Sequence, residues 1–243
     1  MDLNQDEKAL LEKIREARKN RETTPPRAEE LRIDIEGAYR VQAALGEGRE
    51  VIGYKLGLIK PEGQARMGVD SPIYGRIYEG MILGSPVRLN SFLQPQLEPE
   101  LVVVLGESLP PVVSPGAAHV AIGGAYLGID FLSNVWEDGL PVVADVVANN
   151  VAGGGFLLGE RLLNEPLDGN LRLYHNGQLL TEGQVGNIGN VGERLAWLSE
   201  TVGGLEAGQA IFLGTPAAPQ EAVAGTIELH GPHSSVLVAD LQD

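Results

Sequence analysis

The sequence contains no cysteine. Disulfides and thiolate zinc sites are therefore excluded, and a cytoplasmic location is the default expectation. Positive charge is scarce: 18 Lys and Arg stand against 33 Asp and Glu, for a net charge of −15. That balance argues against a nucleic-acid-binding face but suits a site that holds cations. No apolar run reaches the length of a membrane span. The first residues, "MDLNQDEKALLEKI", lack the apolar segment of a signal peptide. Nucleotide and hydrolase signatures are missing as well. The glycine-rich stretches "GGAYLG" and "VAGGGF" do not fit G-x-G-x-x-G between a strand and a helix. There is no G-x-S-x-G, and His119, His175, His230 and His233 form no metalloprotease pattern.

What is present is an ordinary globular chain of 243 residues, enough for one large domain with a small extra lobe. Leu10, Leu11, Ile14 and Ala17 recur at helical spacing and predict a helix over 5–20. Pro25 and Pro26 break the pattern, and a second helix is expected over 28–47. "VIGYKLGL" (51–58) reads as a strand, and "KPEGQARMGVDSP" as a short helix or loop. Beyond about residue 76, short apolar runs punctuated by Gly and Pro predict mostly strands, with one helix at 192–202. Asn176–Gly177 between two such runs is a type I′ hairpin signal. The expected organisation is α+β: a helical N-terminal lobe over 1–75 and a mixed-β domain over 76–243.

Three features carry chemistry. "LEPELVVVLG" (97–106) begins with Glu98 and Glu100, which a strand of period two projects from one face. Two carboxylates so placed repel unless a cation or solvent relieves them, and oxygen ligands suit Mg²⁺ or Mn²⁺. Asp130, between Ile129 and Phe131 in an apolar run, is costly to bury without a partner. Lys55 sits in an apolar strand between Gly53 and Gly57, where glycines permit a ligand to approach closely. Burial is expected to lower its pKa toward the working range of a proton carrier. "GTPAAP" (214–219) follows a strand and could line a pocket.

The order of these motifs, "VIGYKLGL", "MGVDSPIYGRI", "LEPELVVVLG", an acidic strand some 30 residues on, then "VVANNVAGGGFLLG", resembles the 2-keto-4-pentenoate hydratase and 4-oxalocrotonate decarboxylase group of the fumarylacetoacetate hydrolase superfamily. The resemblance implies a mixed-β roll with a helical N-terminal lobe and a Mg²⁺ or Mn²⁺ ion held by Glu98, Glu100 and a later acid. It implies Lys55 and Asp70 as catalytic groups, and Gly57, Leu58 and Asn149 beside the substrate. The implied activity is that of a metal-dependent lyase: a hydratase of a 2-hydroxy-dienoate in aromatic catabolism, or alternatively a 2-oxo acid decarboxylase. A homo-oligomer, or a hydratase–decarboxylase complex, is also implied. Two departures stand out. Gly128 occupies the position of the group's later glutamate, leaving Asp130 to supply the third ligand, and Asn149 replaces an acid. Those losses would also suit a non-catalytic assembly partner or a 2-oxo acid binder, whereas Lys55, Glu98 and Glu100 oppose that reading.

Overall fold

The computed structural model describes residues 2–137, 141–162 and 168–243, with only the backbone of Arg161 and Leu162. The helical lobe begins with α1 (Gln5–Asn20), opened by a reciprocal cap: Asn4 Oδ1 accepts from the Glu7 N–H, and Glu7 Oε2 accepts from the Asn4 N–H. The second helix, α2 (Ile35–Leu45), starts later than the expected 28–47. Asp34 intervenes as a cap, accepting from the Gly37 N–H at 2.8 Å, and Arg32 just before it is left-handed at φ 53°.

The rest of the chain follows as β1 (Val51–Gly57), α3 (Pro61–Met67), β2 (Ile73–Tyr78), β3 (Val87–Arg88) and β4 (Gln96–Leu105). Next come α4 (Pro115–Val120), β5 (Ile122–Leu132), α5 (Val143–Ala148), β6 (Gly153–Leu162), β7 (Asn170–His175) and β8 (Gln178–Gln184). The last elements are α6 (Val191–Val202), β9 (Ala210–Phe212), β10 (Gln220–Glu221), β11 (Gly225–His230) and β12 (Val236–Gln242). The expectation of a single helix beyond residue 76 is therefore corrected. Ser114 caps α4 by accepting from the Ala117 N–H, with Pro115 as its first residue. The run 142–148 is α5 because Asp145 reaches back to the Val142 N–H. The hairpin signal is met: Asn176 and Gly177 both have positive φ, 48° and 77°, and join β7 to β8.

Two sheets curl into a roll. The larger runs β2-β1-β9-β4-β5-β6, with β10 pairing a further part of β4; the smaller runs β3-β12-β11-β7-β8. β1, within the expected N-terminal lobe, is an interior strand of the larger sheet, so the sheet continues across the expected division at residue 75. The main core lies between the sheets, where Leu101, Val103, Ile129 and Phe131 meet Leu173 and Leu229. The other face of the large sheet carries the polar residues of interest. The helical lobe packs toward that side: its core joins Ile14 and Val41 to Val147 of α5 and to Val151 in the turn after it.

Candidate active site

β4 is where the sheet opens. β9 pairs with it over Val102–Val104 and β10 over Gln96–Leu97, leaving residues 98–101 without a strand partner on that side. Pro99, which has no N–H to pair, lies in this gap. The chain between β9 and β10 crosses the opening: the Leu213 N–H donates to Leu101 O, and the Thr215 hydroxyl to Pro99 O. The Gly214 N–H of the same crossing donates to Glu100 Oε2 at 2.8 Å. The "GTP" loop singled out in the sequence thus forms part of the site.

On the other side of β4 the pairing with β5 sets Glu98 directly opposite Asp130 and Glu100 opposite Gly128. One ligand atom from each of Glu98, Glu100 and Asp130 can be chosen so that all lie within 4.8 Å of one another. Glu100 and Asp130 are fully buried, while Glu98 keeps 15 % of its side chain exposed. The strand period explains Asp130: Ile129 and Phe131 point into the core between the sheets, and Asp130 points the other way.

Lys55 completes the group. Its ammonium is buried, pairs with Asp130 Oδ2, lies 3.6 Å from Glu98 Oε2 and donates to Val151 O at 3.0 Å. Burial pulls its pKa down, but the charges of Asp130, Glu98 and Glu100 outweigh burial and the net direction is upward. The expectation of a lowered lysine pKa is corrected: three carboxylates hold the ammonium form. Burial raises the Asp130 carboxyl to about 7, with Lys55 opposing and Glu98 adding to the rise. Burial, then Asp130 and Glu98, push Glu100 well above the ordinary carboxylate range.

Comparison with Asp145 separates a structural acid from these. Asp145 is equally buried, yet it accepts from the backbone N–H groups of Arg27, Ala28 and Val142. Glu100 Oε1 and Asp130 Oδ1 are buried with no hydrogen-bond partner. Two orphaned oxygens among three convergent carboxylates are the donor set a hard divalent cation takes.

The glycines beside Lys55 serve protein contacts. A Cβ at Gly53 would meet the Ala210 carbonyl at 2.1 Å, so its room belongs to β9. One at Gly57 would meet Val151 Cγ1 at 2.8 Å. A Cβ at Gly128 would lie 2.4 Å from Val102 Cγ2 and 2.6 Å from the Phe212 ring. Those side chains fill the space a glutamate would need, and Asp130 provides the third carboxylate instead.

A cleft of about 370 Å³ opens in front of Glu98. Gly57 and Leu58 border it, as does Thr215 of the "GTP" loop; Lys60, Glu62 and Arg66, which sequence reasoning did not select, line it as well. Leu58 is left-handed at φ 51°. Asp70 lies exposed in the turn between α3 and β2, outside the cleft walls. Asn149 is also outside them: its Oδ1 accepts from Arg18 Nη2 at 2.9 Å, and its Nδ2 donates to Ser133 O at 3.2 Å. The neighbouring asparagine does more at the site. Asn150 Oδ1 accepts from the Arg76 N–H at 2.7 Å, and its Nδ2 donates to Arg76 O at 2.8 Å. This clamp secures three successive left-handed residues, Asn150, Val151 and Ala152, at φ 59°, 53° and 55°. The turn so held aims the Val151 carbonyl at Lys55. Its only sequence trace is the asparagine pair, since a backbone carbonyl has no residue signature.

A rolled mixed sheet presenting three convergent carboxylates and a buried lysine defines a protein built around a cation-type centre. The chain belongs to the fumarylacetoacetate (FAA) hydrolase C-terminal family, whose pattern matches residues 73–240. It is 28 % identical over 222 residues to a 2-keto-4-pentenoate hydratase of Paraburkholderia phymatum, covering 86 % of this chain and 82 % of the relative. A 4-oxalocrotonate decarboxylase of a Pseudomonas species is 26 % identical over 157 residues, 62 % of this chain and 61 % of the relative. In fold, the chain matches the structure of a 4-oxalocrotonate decarboxylase from Pseudomonas putida G7, complexed with magnesium and adipate. The TM-score is 0.86 with 22 % identity, over 96 % of both chains. Among the described residues, no helix is long and apolar enough to cross a membrane.

Proposed function

We propose that this protein is a divalent-metal-dependent lyase that hydrates a 2-hydroxy-dienoate or 2-oxo-enoate of the 2-keto-4-pentenoate type, with Mg²⁺ or Mn²⁺ held by Glu98, Glu100 and Asp130. The observation that carries the reading is the pair of orphaned buried oxygens, Glu100 Oε1 and Asp130 Oδ1, within a three-carboxylate cluster beside the Lys55 ammonium. Three carboxylates against one ammonium leave an excess of negative charge that a divalent cation would neutralise. Without a cation, burial leaves Asp130 and Glu100 to offset that charge by holding protons.

When bound, the cation would supply Lewis acidity toward the keto and carboxylate oxygens of a 2-oxo acid. The chain's own residues do the rest. Lys55 Nζ holds a proton, oriented by the Val151 carbonyl, and is placed to deliver it or to stabilise negative charge developing on the substrate. Gly57 and Leu58 form the wall that positions the substrate, while Lys60 and Arg66, beside Glu62 on the same wall, offer cationic groups for its carboxylate. In hydration, the dienol gains a proton at carbon and loses one from its hydroxyl; water then adds across the remaining conjugated double bond. Decarboxylation of a 4-oxalocrotonate-type acid needs the same stabilisation of an enolate as CO₂ leaves. Hydration is preferred because the sequence likeness to a named hydratase spans more of the chain than that to a named decarboxylase, whose structural likeness bears on the fold alone. Asp70, exposed near the end of α3, would join only if a bound substrate draws its turn inward, and a homo-oligomer is the assembly we expect.

Calorimetry with oxalate, a stable 2-oxo acid mimic, tests the reading. Oxalate should bind with saturating Mn²⁺ and fail to bind in chelator. Metal-independent binding, or none with Mn²⁺, would count against it. A spectrophotometric screen of dienoates with Mn²⁺ then decides between hydration and decarboxylation.

A further inference from the structure

A second cavity, of about 310 Å³, lies between the C-terminal end of α1, the loop after α2 and the start of β6. It shares no wall residue with the cleft in front of Glu98. Three arginines border it, Arg18, Arg21 and Arg49, and no carboxylate does. In a chain with a net charge of −15, that local excess of positive charge is unexpected. Among the described residues, none of the three arginines forms an ion pair.

Two of these arginines are held in place. Arg18 Nη2 donates to Asn149 Oδ1, and Arg49 donates to Glu79 O at 2.9 Å while its guanidinium lies 4.8 Å from the centre of the Tyr78 ring. Arg21, in the left-handed cap of α1, has a guanidinium with no hydrogen bond among the described residues. Two preorganised cations and one uncommitted cation form a receptor for an oxyanion, because guanidinium forks match the geometry of carboxylate and phosphate oxygens. The remaining walls are mixed: Ser91, Ser133 and Asn150 offer polar groups, while Leu45, Met81, Phe92 and Leu93 form an apolar surface. An inorganic anion would leave that surface wet, whereas an organic acid would cover it.

We propose that this cavity is a second binding site, for a small organic acid with an anionic head on Arg18, Arg21 and Arg49 and an apolar body against Met81, Phe92 and Leu93. Asn150 and Gly153, which flank the turn over Lys55, belong to its wall; the proposal itself does not rest on the lyase reading.

The sequence offers a direct probe, because it has only three methionines: Met1, Met67 on α3 and Met81 in this cavity. Protein carrying ¹³C-methyl methionine is titrated with benzoate in the presence of a chelator, at ionic strength held constant with chloride, and Met81→Leu assigns its signal. The Met81 methyl should shift saturably while Met67 stays in place. Arg21→Gln and Arg49→Gln should each weaken the titration about tenfold or more, the loss expected for one charge-assisted hydrogen bond. Inorganic phosphate should compete with benzoate. A Met81 signal that does not move, a response at Met67 alone, or affinities unchanged in both variants would overturn the proposal. Phosphate binding without benzoate binding would overturn the apolar half of it. Failure of the lyase reading would show instead in the oxalate and Mn²⁺ titrations, which this experiment excludes by chelation.

Discussion

Glu98 and Asp130 face each other in register across the antiparallel strands β4 and β5, and Lys55 from β1 lies between their carboxylates. The pairing gathers one acid from each strand, and Glu100 adds a third two residues on. Glu100→Gln or Asp130→Asn should each weaken Mn²⁺ binding by about 10- to 100-fold, the range for losing a charged oxygen contact. Calorimetric titration of the metal-free protein measures this, and unchanged affinity in both variants would move the cation elsewhere.

Lys55→Met removes the buried partner of Asp130. Breaking such a pair strands a charge and costs about 3–5 kcal/mol, so the metal-free variant should unfold at lower denaturant. Mn²⁺ should recover part of that loss by neutralising the same carboxylates. Turnover should remain about 10²-fold or more below the parent even with metal saturating, because the proton on Nζ is gone. A variant with full turnover would make Lys55 purely structural.

Gly128→Glu restores the acid of the resembled group and should nonetheless impair the protein. The new Cβ would sit within 2.6 Å of the Phe212 ring, and overpacking of that kind costs about 1–3 kcal/mol or more. Thermal denaturation is the readout. A stable variant that binds Mn²⁺ more tightly would show that Phe212 and Val102 yield easily.

Asn150→Ala deletes both bonds to the Arg76 backbone and replaces a residue that tolerates the left-handed region with one that does not. A stability loss of about 1–3 kcal/mol is expected. Turnover should fall further than Mn²⁺ affinity, because the Val151 carbonyl orients Lys55 and not the cation. Equal losses in both would contradict that assignment.

Metal binding should weaken as the solution is acidified. The proposed cation would take Asp130 as carboxylate, and in the metal-free fold that group keeps its proton up to about pH 7. Below that pH a proton must be displaced from Asp130, and Glu100, raised well above the ordinary carboxylate range, adds a second, so affinity should fall on acidification by about tenfold per pH unit or more. The sign for stability follows from the same shift. Asp130 has its pKa raised on folding, so the unfolded chain binds fewer protons between the ordinary aspartate range and about 7. The metal-free protein should therefore lose stability as pH rises through that window. Melting curves with and without Mn²⁺ check both statements.

The sequence by itself determined a good deal. Period-two alternation put Glu98 and Glu100 on one face, helical spacing placed α1, and Asn176–Gly177 announced its hairpin, because these depend on neighbours along the chain. The lysine and the three acids were legible for a related reason: charged groups in apolar runs demand partners wherever they fold. The identity of those partners was a tertiary decision. Only the β4–β5 register sets Asp130 opposite Glu98 and leaves Gly128 against Phe212. Only the gap between β9 and β10 brings the Gly214 N–H to Glu100. The direction of the Lys55 pKa was likewise beyond the sequence, since burial alone pulls it down and only three converging carboxylates reverse the sign. Asn149 and Asn150 are adjacent and chemically identical, yet one ties α1 to α5 and the other fixes the turn over the lysine. Backbone conformation and distant strands make that distinction, and neither is written in local composition.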